Sequence, residues 1–162
     1  MKNDKTDNHE QIFWEEIDRL FPDMIKAIAS LSKKSYLSIT NLRTGITWWS
    51  ERAMDYFGMK ENYTIRSMEK ANRKIHPDDV ATFKRGFKER VDGKNLDTAW
   101  EYRIQDGDSY NRFNAMARVL YDEQKQPFII IIRYDNYGIS DEVDSVTGLY
   151  TEPALNRCIT QL

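Results

Sequence analysis

The stretch "IHPDD" puts the imidazole of His76 beside the carboxyls of Asp78 and Asp79. Such groups could hold a metal ion, or the histidine could ligate a haem iron. The same residues are also what a helix start asks for. Proline fits the first helical position, and two aspartates sit where the helix dipole favours negative charge. Helix initiation is the reading adopted. The other histidine, His9, and the single cysteine, Cys158, are far away in sequence, so no zinc spacing exists and no metal site is expected. Lys84, Arg85, Lys88 and Arg90 form a basic cluster. No aromatic residue alternates with it in the manner of a single-strand nucleic-acid platform, so a solvated helix face is expected. No catalytic residue is assigned.

Composition sets the outer bounds. A chain of 162 residues has room for one domain of about 100 to 150 residues with a flanking helix. Apolar residues are 40% and aromatic residues 12%, enough for a core. A net charge of −2, with no basic stripe, gives no reason to expect nucleic acid or tight adhesion to anionic lipid. The longest apolar run, Phe128 to Ile132, is five residues, whereas a membrane-spanning helix needs about 20. The amino terminus lacks an apolar signal core and the lone cysteine suits a reducing cytosol, so a cytoplasmic location is expected.

The elements that must position these groups follow from periodicity. Residues 1–8 read as a polar tail and residues 9–34 as a helical segment. Phe13, Ile17, Leu20, Met24, Ile28 and Leu31 recur at helical spacing, and Pro22 demands a kink or two helices meeting near Phe21. This stripe either covers its own domain or forms a dimer seam. Two β-rich runs around Arg43-Thr44-Gly45 read as a hairpin, and Ser50 caps a short helix closed by Gly58, with Ala53, Met54 and Phe57 on its buried side. Residues 59–75 read as irregular or weakly helical. A longer helix follows from Pro77 to about Gly93, with Val80, Phe83, Phe87 and Val91 as its stripe.

Three strands come next. Trp100, Tyr102 and Ile104 alternate with polar residues; Phe113, Ala115, Ala117, Val119 and Tyr121 share one face of the second strand. "FIIIIRY" is apolar on both faces, as a central strand would be, and ends near Asp135. Two strands, several helices and three strands in that order indicate an α+β fold with an antiparallel sheet.

These residues carry a resemblance. "TGITWWS" (44–50), "DYFGM" (55–59), "IHPDD" (75–79), "EYRIQDG" (101–107) and Asp135 occur in the order found in PAS sensory domains of the HPDD-containing type. The resemblance implies a PAS-like five-stranded antiparallel sheet over residues 35–137 with helices on one face. Two features depart from the family pattern: "YDEQKQP" lacks the usual turn glycine, and Asp135 is not followed by the threonine of the Asp-x-Thr exit motif. "DSVTGL" at 144–149, after a linker at 138–143, resembles the opening of a GGDEF domain, with Asp144, Thr147 and Gly148 in the matching places. Residues 144–162 are thus expected to be the truncated start of a diguanylate cyclase. Its metal-binding and guanine-reading residues would lie beyond Leu162.

Under that resemblance the chain would be a cytoplasmic sensor controlling cyclic di-GMP synthesis. The alternatives are a ligand-free PAS dimerisation scaffold, or the sensor of another signalling protein such as a histidine kinase. A chamber between sheet and helices would be lined by Trp48, Met54, Phe57, Met68, Phe83, Phe87, Trp100, Tyr102, Phe113, Ala115 and Ala117, the alanines leaving space. That set is either a filled core or a pocket for an unidentified small molecule. No cofactor is required. Haem and flavin are not expected, and Cys158 lies outside the sensor core, where no flavin adduct could form. The signal would leave through Asp135. Residues 136–143 would span about 12 Å as helix, too short for a coiled-coil relay. A homodimer through the amino-terminal helix, residues 10–31, and the outer sheet face is the partner expected.

Overall fold

In the computed structural model the described residues are 13, 20–31 and 35–139, with Ser67, Met68 and Ile139 described by backbone alone. The chain divides into two compact units, residues 1–33 and 34–162. Of the first, helix α1 (Phe21–Ser30) is described. Pro22 stands in its first turn, where proline is tolerated, and no residue in it is buried.

The second unit is built on one antiparallel sheet. Its strands are β1 (Ser35–Asn41), β2 (Ile46–Trp49), β3 (Tyr63–Ile65), β4 (Trp100–Asp106), β5 (Ser109–Tyr121) and β6 (Pro127–Ile139). Their order across the sheet is β3-β2-β1-β6-β5-β4. The sheet therefore has six strands where five were expected. Residues 59–75, read as irregular or helical, contribute the extra strand β3, which pairs with β2 from Ile46–Ile65 to Trp48–Tyr63. Its three residues are too few for alternation to announce a strand.

Helices α2 (Glu51–Phe57), α3 (Ser67–Asn72) and α4 (Val80–Val91) connect the two halves of the sheet and pack on its inner face. Local chemistry sets their limits as expected. Ser50 Oγ accepts from the Ala53 amide, and Gly58 closes α2 in the left-handed conformation at φ +66°. His76 caps a short 3₁₀ turn, Pro77–Asp79, its Nδ1 accepting from the Asp78 amide at 3.2 Å. In the first hairpin Asn41 Oδ1 accepts from the amides of Arg43 and Thr44, and Gly45 has φ +71°.

The core lies between helices and sheet: Trp49, Phe57, Phe113, Ile104, Ile130 and Ile132 are each less than 3% exposed. β6 occupies the centre, between β1 and β5, as its two-sided apolar run requires. It runs past Asp135 to Ile139, so its last residues replace the start of the expected 138–143 linker. Gly138, with φ +88°, is a strand residue here. Tyr121 is 46% exposed; the register shift between Leu120 and Tyr121 takes it off the buried face expected for it.

Candidate functional site

The chamber is bounded below by the inner sheet face and above by α2, α3 and α4. Hairpin register decides which tryptophan enters it. Thr40 pairs with Thr47 and Ser38 with Trp49, so Trp49 shares the inner face with Tyr36 and Ser38. Trp48, expected to line the chamber, pairs with Ile39 and lies on the opposite, outer face. "WW" offers an indole on each parity, and only the register distinguishes them.

Inside, Trp49 and Phe57 stand 5.2 Å apart, and Phe83 meets Tyr102 edge-on at 4.9 Å. Phe113, Trp100, Ala115 and Ala117 are buried in the same cluster, with Met54 and Phe87 partly buried against it. Met68 lies outside the residues whose side chains are described. The alanines leave no room. In the register Ala115 lies between Trp100 and Tyr134, and Ala117 opposite Ile132, so large neighbours take the space.

What is left is a cavity of about 10 Å³ lined by Trp49, Phe57, Ala71, Asn72, Ile75, Phe83, Tyr102, Ile104 and Tyr134. It is large enough for about one water molecule. Trp49, Ala71, Asn72, Ile75, Ile104 and Tyr134 were not among the residues expected from sequence; Ile104 and Tyr134 could have been found from strand parity. Ser38 and Tyr134 hydroxyls bond at 3.1 Å, while the Tyr102 hydroxyl and Asn72 Oδ1 have no partner among the described residues. Burial raises the pKa of both tyrosines, partly offset at Tyr134 by Ser38.

The basic cluster on α4 divides. Lys84, Arg85 and Lys88 are exposed as expected, but Arg90 is 2% exposed and belongs to the core. Its guanidinium lies 4.2 Å over the Trp100 ring, and Nη1 donates to the Gly86 carbonyl at 3.1 Å. A second donation, to the Thr98 carbonyl at 2.5 Å, fastens the loop before β4. The indole supplies the apolar cover that such a cation needs.

Asp79 also has a more definite role than helix-dipole complementation. Its carboxylate accepts from Arg103 Nε, Nη2 and backbone amide, each at 2.8 Å, joining the start of α4 to β4. The Arg103 hydrogen bonds hold its pKa below the usual carboxylate range, against the opposing effect of burial.

At the exit, Asp135 sits opposite Ser35, the first residue of β1, and accepts a hydrogen bond from its hydroxyl. Arg133 Nη2 lies 3.0 Å from the same carboxylate. Asp144, Thr147 and Gly148 lie outside the described residues.

A family model for the PAS fold matches residues 46–132, more than half of the chain. The chain belongs to the PAS-fold family. Solved PAS-type structures agree. A sensory box histidine kinase/response regulator from Burkholderia thailandensis aligns with TM-score 0.51 at 18% identity, covering 70% of this chain and 82% of that one. The amino-terminal domain of a diguanylate cyclase with PAS/PAC sensor from Marinobacter aquaeolei aligns with TM-score 0.53 at 15% identity, covering 65% and 96%. At these identities the likeness is one of fold. No curated protein matches the chain. No helix among the described residues is long and apolar enough to cross a membrane.

Proposed function

We propose that this PAS domain is the cytoplasmic sensory module of a diguanylate cyclase and regulates cyclic di-GMP synthesis by controlling how two copies pair. The observation that carries the reading is "DSVTGL". It begins at Asp144, close behind the end of β6 at Ile139, so sensor and output would be nearly contiguous. Pairing is supported by the exposed apolar residues on α1 and at its two caps: Leu20, Phe21, Ile28 and Leu31 are each more than half exposed. The outer sheet face adds Leu120. Cyclisation of two GTP molecules would need two output domains facing each other, which pairing of sensors supplies.

The test is the intact protein supplied with GTP and Mg²⁺, compared with a version lacking residues 1–139. Cyclic di-GMP formed by the intact protein at a rate changed by the deletion is expected. No product from either would end the reading. Light scattering of residues 1–162 should give a dimer, and a monomer at high micromolar concentration would remove the pairing mechanism.

A second reading is a scaffold without a small-molecule ligand, and the filled interior favours it. A cavity of about 10 Å³ is far below the 300 Å³ or more typical of ligand pockets. A metabolite that raises the melting temperature of residues 1–162 would refute the scaffold reading, since binding to the folded state must stabilise it.

A further inference from the structure

The extra strand β3 leaves the sheet with an open edge, and the hydrogen-bond phase shows which groups it presents. Trp49 N donates to Asn62 O at 2.8 Å, and Asn62 Nδ2 returns a bond to the Trp49 carbonyl at 3.1 Å. Residues 49 and 62 are therefore a hydrogen-bonded pair, which makes Thr47–Thr64 the next such pair along the ladder. The backbone of Thr64 is spent on β2. The amides and carbonyls of Tyr63 and Ile65 point outward, where no strand lies among the described residues. Their side chains, 60% and 67% exposed, join Ile46 at 44% in an apolar strip beside that edge.

Around the strip runs an open concavity of about 550 Å³, which Lys60, Arg66 and Lys70 line together with a single carboxylate, Glu61. Lys70 donates to the Gly58 carbonyl at 3.0 Å, while the side chains of Lys60 and Arg66 have no partner among the described residues. Arg66 also holds a left-handed backbone at φ +53°, where glycine or asparagine would be the easier choice.

We propose that the β3 edge is a docking site for an extended segment of another protein that alternates apolar and acidic residues, added as a further strand. Backbone bonds to Tyr63 and Ile65 would supply the alignment. Apolar side chains would cover the Tyr63–Ile65–Ile46 strip, and carboxylates would meet Lys60, Arg66 and Lys70. A second copy of this chain is the wrong occupant, because pairing two β3 edges brings both cationic clusters together. This site is separate from the proposed pairing surfaces and does not depend on the cyclase reading.

The probe is a blocked hexapeptide alternating glutamate and valine, with a lysine–valine hexapeptide as its counterpart, added to residues 1–162 and followed by amide hydrogen exchange. The acidic probe should slow exchange at Tyr63 and Ile65 and weaken with added salt. Lys60→Glu with Arg66→Glu should reduce its affinity about tenfold and give the lysine probe the advantage. Unchanged exchange in β5 and β6 will confirm that the variant is folded. Equal binding of the two probes, protection elsewhere only, or self-association through residues 63–65 would overturn the proposal.

Discussion

At Gly86 two effects of known size oppose each other. Alanine within a helix is favoured over glycine by about 1 kcal/mol. A Cβ there would stand 2.9 Å from Trp100 Cδ1, and the guanidinium of Arg90 covers that indole, so it cannot easily retreat. Overpacking of this kind costs about 1–3 kcal/mol. Gly86→Ala should therefore lower stability, by about 1 kcal/mol net, in chemical denaturation. Asp79→Asn removes charge-assisted bonds to a partly exposed Arg103 and should cost about 1–2 kcal/mol. The sign of its pH dependence follows from the depressed pKa. The stabilisation is complete above the unfolded value near 4 and is lost as pH falls through the lower folded value. Wild type should lose stability in acid over that window, and the variant should lose less. Arg90 was legible in principle, since it lies seven residues after Phe83 and three before Gly93 on the same helical face. Residue type pointed to solvent, and spacing pointed to the core.

Turn chemistry governs at the level of the element. The last turn lacks the family's glycine, and Lys125 takes the left-handed conformation instead, at φ +59°. Asp122 compensates by accepting from the Gln126 amide at 2.8 Å and by pairing with Arg43 of the first hairpin. Lys125→Gly should remove the side-chain strain and stabilise by up to about 1 kcal/mol in thermal unfolding, less the added entropy of the unfolded chain. Caps, hairpins and the central strand were readable because each depends on neighbours in sequence: Ser50, Gly45, Gly58, "FIIIIRY". β3 was not, because a three-residue edge strand exists only through its pairing with β2. Trp48 and Trp49 show the same limit. Both are apolar and adjacent, and the β1–β2 register, which sets Ser38 opposite Trp49, decides which one faces inward. The alanines of β5 misled for a related reason, since what fills the space above them comes from β4 and β6.

The whole unit is held by a core in which phenols are kept neutral. Burial raises the pKa of Tyr56, Tyr102 and Tyr134. Their protonated forms are equally available to folded and unfolded chains below about pH 10. Above it the unfolded chain ionises first, so stability should fall. The melting temperature should drop steeply beyond that point, with the share of tyrosinate absorbance due to these three phenols appearing only as the protein unfolds. β1 starts at Ser35 beside Asp135, near the end of β6, and the two strands are antiparallel neighbours. Tension applied between residues 35 and 139 would therefore load their ladder one rung at a time, like opening a zip, and the domain should yield at low force in single-molecule pulling. A segment tugging on either end would part Ser35 from Asp135 before it disturbed anything deeper.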